Sequence, residues 1–564
     1  MLKTRLLSSL DTVRPQHCGE EYKGKFTCLE NEPLSFQVAF INEEPVTQVN
    51  VKAESDTDLS LYYVGYVPVM HTEVSGLENP PKAGLFPDML IKKRVNPEQL
   101  HEGYPWADRI FEKDEDKIIC AYGDSWQTLF ITVNEEGKKA AAGKHTVKII
   151  FTDAADGRIL AEKSAEIEIL PTALEKQSLY CTNWFHCDCL AKTYGVEVFS
   201  KEFYRIFASF ASAAAQNGQN MILLPAFTPP LDTPIGCYRD TVQLVGVEVV
   251  SEGKYKFDFS EMERYIAESR KAGIEYFEHS HLFTQWGAAF APQITAAVNG
   301  KKQRIFGWDT QADGKEYTEF LKQYIPAVKQ FLKSQDLLDK TLFHISDEPT
   351  KDNAETYRAA RRVVGDMLDD VMCGDALSDY CFYEDKTVRT PIVKTSEVEP
   401  FLNKAENLWV YYTGEEIKGN LSNRLITVPP VRNRMLGVQM YKFGIKGFLH
   451  WAYNFYFGTL CHGVFSPAQD PCGCGGNAGT SYLVYPGSDG TAVQSVRLKV
   501  FAEGLLDMRA LQTLEKLSDR RRCDEIIEKH FGDLTFNTAA DTPEKMLAFR
   551  NDVNSAIAAA AKVR

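Results

Sequence analysis

The sequence predicts a multidomain α/β protein, with an N-terminal β-sandwich over residues 1–172, a (β/α)8 TIM-type barrel over 173–516 and a helical tail over 517–564. Three observations predict it. The first part of the chain carries apolar residues at every second position, the period of a half-buried strand. From about residue 173, short apolar runs alternate with amphipathic helical segments, as in a parallel sheet wrapped by helices. At 564 residues the chain is too long for one core, and a sandwich plus a barrel of about 250 residues accounts for most of it.

In the first part, LSFQVAFINE (34–43), VNVKAES (49–55), LSLYYVGYVPV (59–69), WQTLFITVNE (126–135), KHTVKIIFTD (144–153) and AEIEILP (165–171) alternate apolar and polar residues. Asn, Asp, Gly and Pro separate them, and AADGR (154–158) reads as a hairpin turn. No cluster of chemically useful side chains stands out, so this region is assigned an accessory, packing role.

In the second part, eight strand candidates follow one another: 178–185, 220–225, 274–280, 340–346, 370–376, 391–396, 408–413 and 445–452. Helical segments at 201–218, 259–273, 315–335, 351–366, 432–444 and 495–517 separate or follow them, several ending on a capping Gly. Between strands 6 and 7 only the short EVEPFLNKA is available. Residues 242–259 read as a hairpin inserted after strand 2. Residues 281–313 form a Trp-rich excursion after strand 3, and 453–493 a Gly-, Pro- and Cys-rich one after strand 8. All three fall where barrels build their sites.

Composition narrows the function classes. The net charge is −14, without a long basic run, so a nucleic acid partner is not expected. No run of about 18 apolar residues occurs, so no membrane span is expected. The opening MLKTRLLSSLDTVRPQ lacks the apolar core of a signal peptide, and the 13 cysteines are an odd count. Reduced thiols in a cytoplasmic protein are the resulting expectation.

The most informative stretch is KTLFHISDEPT (340–350). An apolar strand runs into Asp347 and Glu348, and Pro349 cannot extend the ladder. Two adjacent carboxylates repel, so one tends to hold a proton, and a proton-donating acid beside a charged carboxylate is the arrangement of a glycosidase. The competing reading is a helix start, with Asp347 as N-cap.

The chain resembles glycoside hydrolase family 123, the β-N-acetylgalactosaminidases, over about residues 175–515. TNWFH (182–186), FEHSHLFTQWG (277–287), FHISDEP (343–349), GFLHWAYNFY (447–456) and YLVYPG with SVRLKVFAEGLLD (482–507) carry the resemblance. It implies release of a terminal β-linked N-acetylhexosamine, N-acetylgalactosamine first, from an oligosaccharide or glycoconjugate. It also implies attack by the substrate's own 2-acetamido oxygen. Asp347 would orient that group, and Glu348 would protonate the leaving oxygen and then activate water. No cofactor and no metal is implied. Two alternatives stay open: double displacement with Glu415, beside Glu416 after strand 7, as protein nucleophile, and a non-catalytic carbohydrate-binding barrel.

Further substrate contacts are expected at strand ends: Trp184, His281, Trp286, Asp375, Tyr411, Trp451, Tyr453 and Asn454. Aromatic faces stack on sugars, and the polar groups bond hydroxyls or the acetamido carbonyl. For each, packing at the barrel mouth is the alternative, and for Asp375 a loop cap. His279 and His281 share a strand face, yet no matching carboxylate or thiol set completes a metal site. Cys461, His462, Cys472 and Cys474 include a CGC whose single intervening residue is too few for structural zinc.

Overall fold

Eight short runs of the second part close into a parallel barrel in chain order: Tyr180–Asn183, Met221–Leu224, Tyr276–His279, Thr341–Phe343, Met372–Leu377, Thr390–Lys394, Trp409–Tyr411 and Gly447–His450. The computed structural model describes residues 2–72, 77–92, 111–113, 116–415, 417–540 and 542–562. Strands buried on both faces need apolar residues at every position, and MILL in the second strand supplies them. The barrel is filled rather than hollow. Met221, Leu223, Leu342, Ala376, Ile392, Trp409 and Leu449 share its interior core. Trp409 stacks on Tyr180 at 5.3 Å. The indole also dictates Gly447, where a Cβ would meet it at 2.0 Å.

Helices Lys201–Gln216, Ser260–Ala272, Lys315–Ser334, Ala354–Val364, Pro430–Lys442 and Val496–Leu517 coincide with the expected helical segments. Their ends follow local chemistry. Ser200 accepts from the Phe203 amide, Ser495 from the Leu498 amide, and Gly273 closes its helix at φ 105°. Between strands 5 and 6 only Cys381–Glu384 is helical, and between 6 and 7 only the turn Glu399–Phe401.

The N-terminal region forms two sheets that share one apolar core. Phe36, Val38, Phe40 and Ile131 come from the first sheet, and Val49, Val51, Val147, Ile149 and Phe151 from the second. The first sheet orders Leu2–Ser8, Leu34–Asn42, Gln127–Val133, Leu59–Val69 and Gly84–Ile91. It then takes two strands from far along the chain, Ala492–Ser495 and Val484–Pro486. The segment after the eighth barrel strand is therefore not only loop, as expected, but also the edge of the N-terminal sheet. Strands of three and four residues, joined to the sheet by Gln494↔Leu90 and Ser495↔Met89 across about 400 positions, leave no local periodicity to read.

Two insertions likewise combine. The hairpin Gly246–Ser251/Lys254–Asp258 pairs with Ile294–Val298/Lys301–Phe306 in one four-stranded sheet. The C-terminal helices are Arg520–Phe531 and Pro543–Ala561. A buried ionic network ties the second of these to the rest. Arg550 donates to Glu32 at 2.7 Å and Asp507 at 2.9 Å, and Arg434 to Asp507 at 2.7 Å and Glu503 at 2.8 Å. Among the described residues, no helix is long and apolar enough to cross a membrane.

Candidate active site

The fourth barrel strand ends at Phe343, four residues before Asp347, rather than running up to it. From His344 onward the chain leaves the ladder, bends at Ile345 and Asp347, and bonds different partners. Leu282 and Phe283 amides donate to the His344 and Ile345 carbonyls, and the Trp286 amide to the Asp347 carbonyl at 2.9 Å. On the other side Asp375 Oδ1 accepts from the amides of Ile345 and Ser346 at 2.9 and 3.3 Å. The Glu348 amide donates to the Ala376 carbonyl at 3.1 Å. A side chain replaces the ladder here, and the acid pair hangs from it.

The cap reading of Asp347 does not hold. The helix after the pair begins with a 3-10 turn at Lys351, and Thr350 occupies its N-cap. Its amide donates to Asn353 Oδ1 at 2.8 Å. Glu348 instead adopts φ 45°, a left-handed conformation that costs a bulky residue about 1–2 kcal/mol. Strain of that size persists where surrounding bonds over-determine the backbone, as at functional sites.

Asp347 and Glu348 are both partly buried. Burial pushes the Asp347 carboxyl well above the ordinary range, and the neighbouring Glu348 adds to this. His344 and Lys394 oppose the shift. Glu348 Oε1 accepts from the Tyr411 hydroxyl at 2.5 Å and lies 3.6 Å from Lys394 Nζ. One carboxyl of the pair thus favours its proton, while the other is held by a phenol and an ammonium.

Beneath the pair lies a relay that the sequence did not reveal. His344 Nε2 lies 3.0 Å from Glu278 Oε2, and its Nδ1 3.4 Å from Asp375 Oδ1, all fully buried. Burial disfavours an imidazolium, yet bonds to Asp375 and Glu278 push His344 up to about 10. Glu278 also accepts from Trp184 Nε1 at 2.8 Å, and Asp375 from the Tyr357 hydroxyl at 2.5 Å. Glu278 had a signal in the sequence, a charge on a strand buried on both faces. His344 had none beyond its place in FHISDEP, and Tyr357 comes from a helix.

The other expected contacts fall into two groups. His281 is buried at 1% exposure with both ring nitrogens unbonded, stacked on His344 at 4.6 Å. Trp286 is 52% exposed, and Trp451 is partly buried against His450. Of these, the Trp286 ring is open to solvent, whereas the His281 nitrogens are unpartnered but buried. Trp184 and Asp375 are spent on the relay. Tyr453 and Asn454 are spent on the fold, contrary to the expectation for them. The Tyr453 hydroxyl donates to the Phe210 carbonyl, and the Asn454 amide bonds both the amide and the carbonyl of His186. The helix Lys201–Gln216 takes the Tyr453 hydroxyl, and closing the first barrel strand's loop onto the eighth consumes the polar atoms of Asn454.

His281, His344 and Asp375 place one possible metal-binding atom each within 4.8 Å. Asp375 Oδ1 already accepts from two backbone amides and stands at ion-pair distance, 3.4 Å, from His344 Nδ1, so the trio fits a buried charge relay better than a coordination sphere. Among the described residues, the loop cysteines join no such cluster. Cys461 donates to the Asp232 carbonyl, and all 13 cysteines are free thiols. Glu415 is exposed on its loop, and Glu416 lies outside the described residues.

A family model described as glycoside hydrolase 123, catalytic domain, matches residues 184–514, more than half the chain. The chain belongs to glycoside hydrolase family 123. Its fold is similar to that of a family 123 glycoside hydrolase from Clostridium perfringens, whose structure addresses glycolipid glycan hydrolysis. The TM-score is 0.71 at 13% identity, covering 100% of this chain and 98% of that one. A β-glucuronidase from Bacteroides uniformis aligns only loosely, with a TM-score of 0.29 at 10% identity over 86% of this chain and 49% of that one. No curated protein matches by sequence. As a family 123 member, the protein is a glycosidase, and the acid pair lies inside the matched region.

Proposed function

We propose that this glycoside hydrolase releases a terminal β-linked N-acetylhexosamine, N-acetylgalactosamine first, by substrate-assisted retaining catalysis. The observation that carries this is the adjacent Asp347–Glu348 pair, which shares a proton: before substrate binds, burial favours it on Asp347, and an acetamido N–H donated to Asp347 stabilises that residue's carboxylate and shifts the proton to Glu348. Asp347 binds the acetamido nitrogen and steadies the positive charge that forms as the acetamido oxygen attacks the anomeric carbon. Glu348 gives its proton to the leaving oxygen and then takes one from water, whose attack reopens the ring intermediate with overall retention. His281 and Trp451 line the sugar site, and Tyr411 keeps Glu348 aimed. The glycan chains of glycolipids, the subject of the Clostridium perfringens structure, are the first natural substrates to try. The N-terminal β-sandwich is an accessory domain in this reading.

A panel of 4-nitrophenyl β-glycosides tests it. Turnover of 2-acetamido sugars alone supports the reading. Equal turnover of plain β-galactoside or β-glucoside overturns it and returns attention to a protein nucleophile.

A further inference from the structure

The helix Pro430–Lys442 starts against the usual rule for helix ends. Its N-cap is Pro429, which provides no side-chain cap, and its first turn holds no acidic residue. No side chain answers the first amides, and the positive end of the helix dipole is left bare. The first turn carries a cation instead, Arg432, at 6% exposure. Arg432 Nε donates to the Leu421 carbonyl at 2.9 Å and Nη2 to the Ile417 carbonyl at 3.0 Å. Nη1 has no partner among the described residues. Burial alone pushes this guanidinium below its ordinary value, with no carboxylate opposing it. A cation at the positive end of a dipole is unfavourable, and burying it without an anion adds to the cost.

Pro429, Val431 and Arg432 line a cavity of about 730 Å³ between the N-terminal region and the loop after the seventh barrel strand. Arg14 lines it from the N-terminal side. Its Nε and Nη2 donate to the Leu85 and Ala83 carbonyls, and its guanidinium lies 4.1 Å from the centre of the Phe86 ring. Burial alone acts on this guanidinium too, again with no carboxylate opposing. Thr427, also at 6% exposure, lines the same cavity with a hydroxyl that has no partner. Two carboxyls reach the cavity, and neither pairs with an arginine. Asp11 Oδ2 accepts from the Ser8 amide at 2.9 Å and hydroxyl at 2.6 Å, and burial favours its neutral form. Glu78 is exposed. A protein of net charge −14 thus keeps two guanidiniums without a carboxylate on one cavity.

We propose that this cavity is a second ligand site, for a sugar bearing a carboxylate, sulfate or phosphate. The oxyanion sits at the start of the helix Pro430–Lys442, where it takes bonds from Arg432 Nη1 and the Thr427 hydroxyl and offsets both the bare dipole and the buried cation. Arg14 supplies the second positive charge. A lone oxyanion fills only a small part of such a volume, and Thr12, Asn79 and Asn420 on the remaining wall suit hydroxyl groups. None of the described lining residues belongs to the acid pair or its relay, so the site stands apart from the proposed hydrolysis and does not depend on it.

Calorimetric titration of the full-length protein tests this, with glucuronate and glucose 6-sulfate as acidic probes, glucose as the neutral one and inorganic phosphate as the bare oxyanion. At least one acidic sugar is expected to bind, glucose is not, and phosphate is expected to compete. Arg14→Met is expected to weaken the acidic sugar about 10-fold, equivalent to about 1.4 kcal/mol, at an unchanged melting temperature. Arg432→Met abolishes binding where that variant folds, and Arg14→Met carries the test where it does not. Silence of both acidic sugars, equal binding of glucose, or binding unaltered in Arg14→Met overturns the site. Phosphate bound with both acidic sugars excluded overturns the sugar assignment.

Discussion

The Tyr411 hydroxyl donates to Glu348 Oε1 at 2.5 Å, linking the end of the seventh barrel strand to the acid pair after the fourth. Lys394, from the end of the sixth strand, stands 3.6 Å from the same oxygen. Three strand ends therefore converge on one carboxylate oxygen. Hydrogen bonds to charged groups contribute about 1.5–3 kcal/mol. Tyr411→Phe is expected to lower kcat about 10- to 100-fold with little change in melting temperature. Steady-state kinetics beside a thermal melt check this, and unchanged kcat would remove Tyr411 from the site.

His344 makes stability depend on pH. Its folded value of about 10 lies above the ordinary 6.5, with burial opposing and Asp375 and Glu278 producing the rise. A raised basic group contributes stability that is fully present below about 6.5 and lost as pH rises through about 10. Melting temperature is expected to fall across that window in wild type. The paired His344→Gln/Glu278→Gln variant, which removes the cation with one of its carboxylates, is expected to lose most of the slope. Identical slopes would mean that His344 is neutral in the fold.

Arg550 holds the C-terminal helix by its buried bonds to Glu32 and Asp507. Removing one partner of a buried pair strands the other charge, at about 3–5 kcal/mol. Arg550→Met is expected to lose stability of that order in urea unfolding while keeping its kcat in the folded fraction. A loss below about 1 kcal/mol would mean that Glu32 and Asp507 are compensated elsewhere.

Glu415 separates the two catalytic schemes. It is exposed, and its amide is turned onto the Thr413 hydroxyl at 3.3 Å. Glu415→Gln is expected to stay within about 2-fold of wild type. A loss of the size expected for a nucleophile, on the order of 10³-fold or more, would instead support double displacement.

The barrel was legible because its signal is local. Each parallel strand is an apolar run, each helix has its own period, and the strand–helix alternation repeats along the chain. The acid pair was legible because two carboxylates beside Pro349 have no use in a strand. The relay was not legible, since Glu278 and Asp375 come from two strands and His344 from just beyond a third, and they meet only once the barrel closes. Tyr453 and Asn454 misled for the related reason that polar residues at a strand end look alike whether they serve a ligand or a neighbouring loop. Only the contacts with Phe210 and His186 distinguish the two. The short hairpin 484–486/492–495 escaped because the strand it docks on through 492–495, Gly84–Ile91, lies at the other end of the chain.

Substrate participation is tested most directly by varying the acyl group on the substrate itself. Aryl β-glycosides carrying N-acetyl, N-fluoroacetyl, N-difluoroacetyl and N-trifluoroacetyl groups present progressively weaker acyl oxygens to the anomeric carbon. If that oxygen is the nucleophile, held by Asp347, log kcat/KM falls steeply and linearly with electron withdrawal along the series. A flat series with turnover intact would contradict it, and would place the nucleophile on the protein.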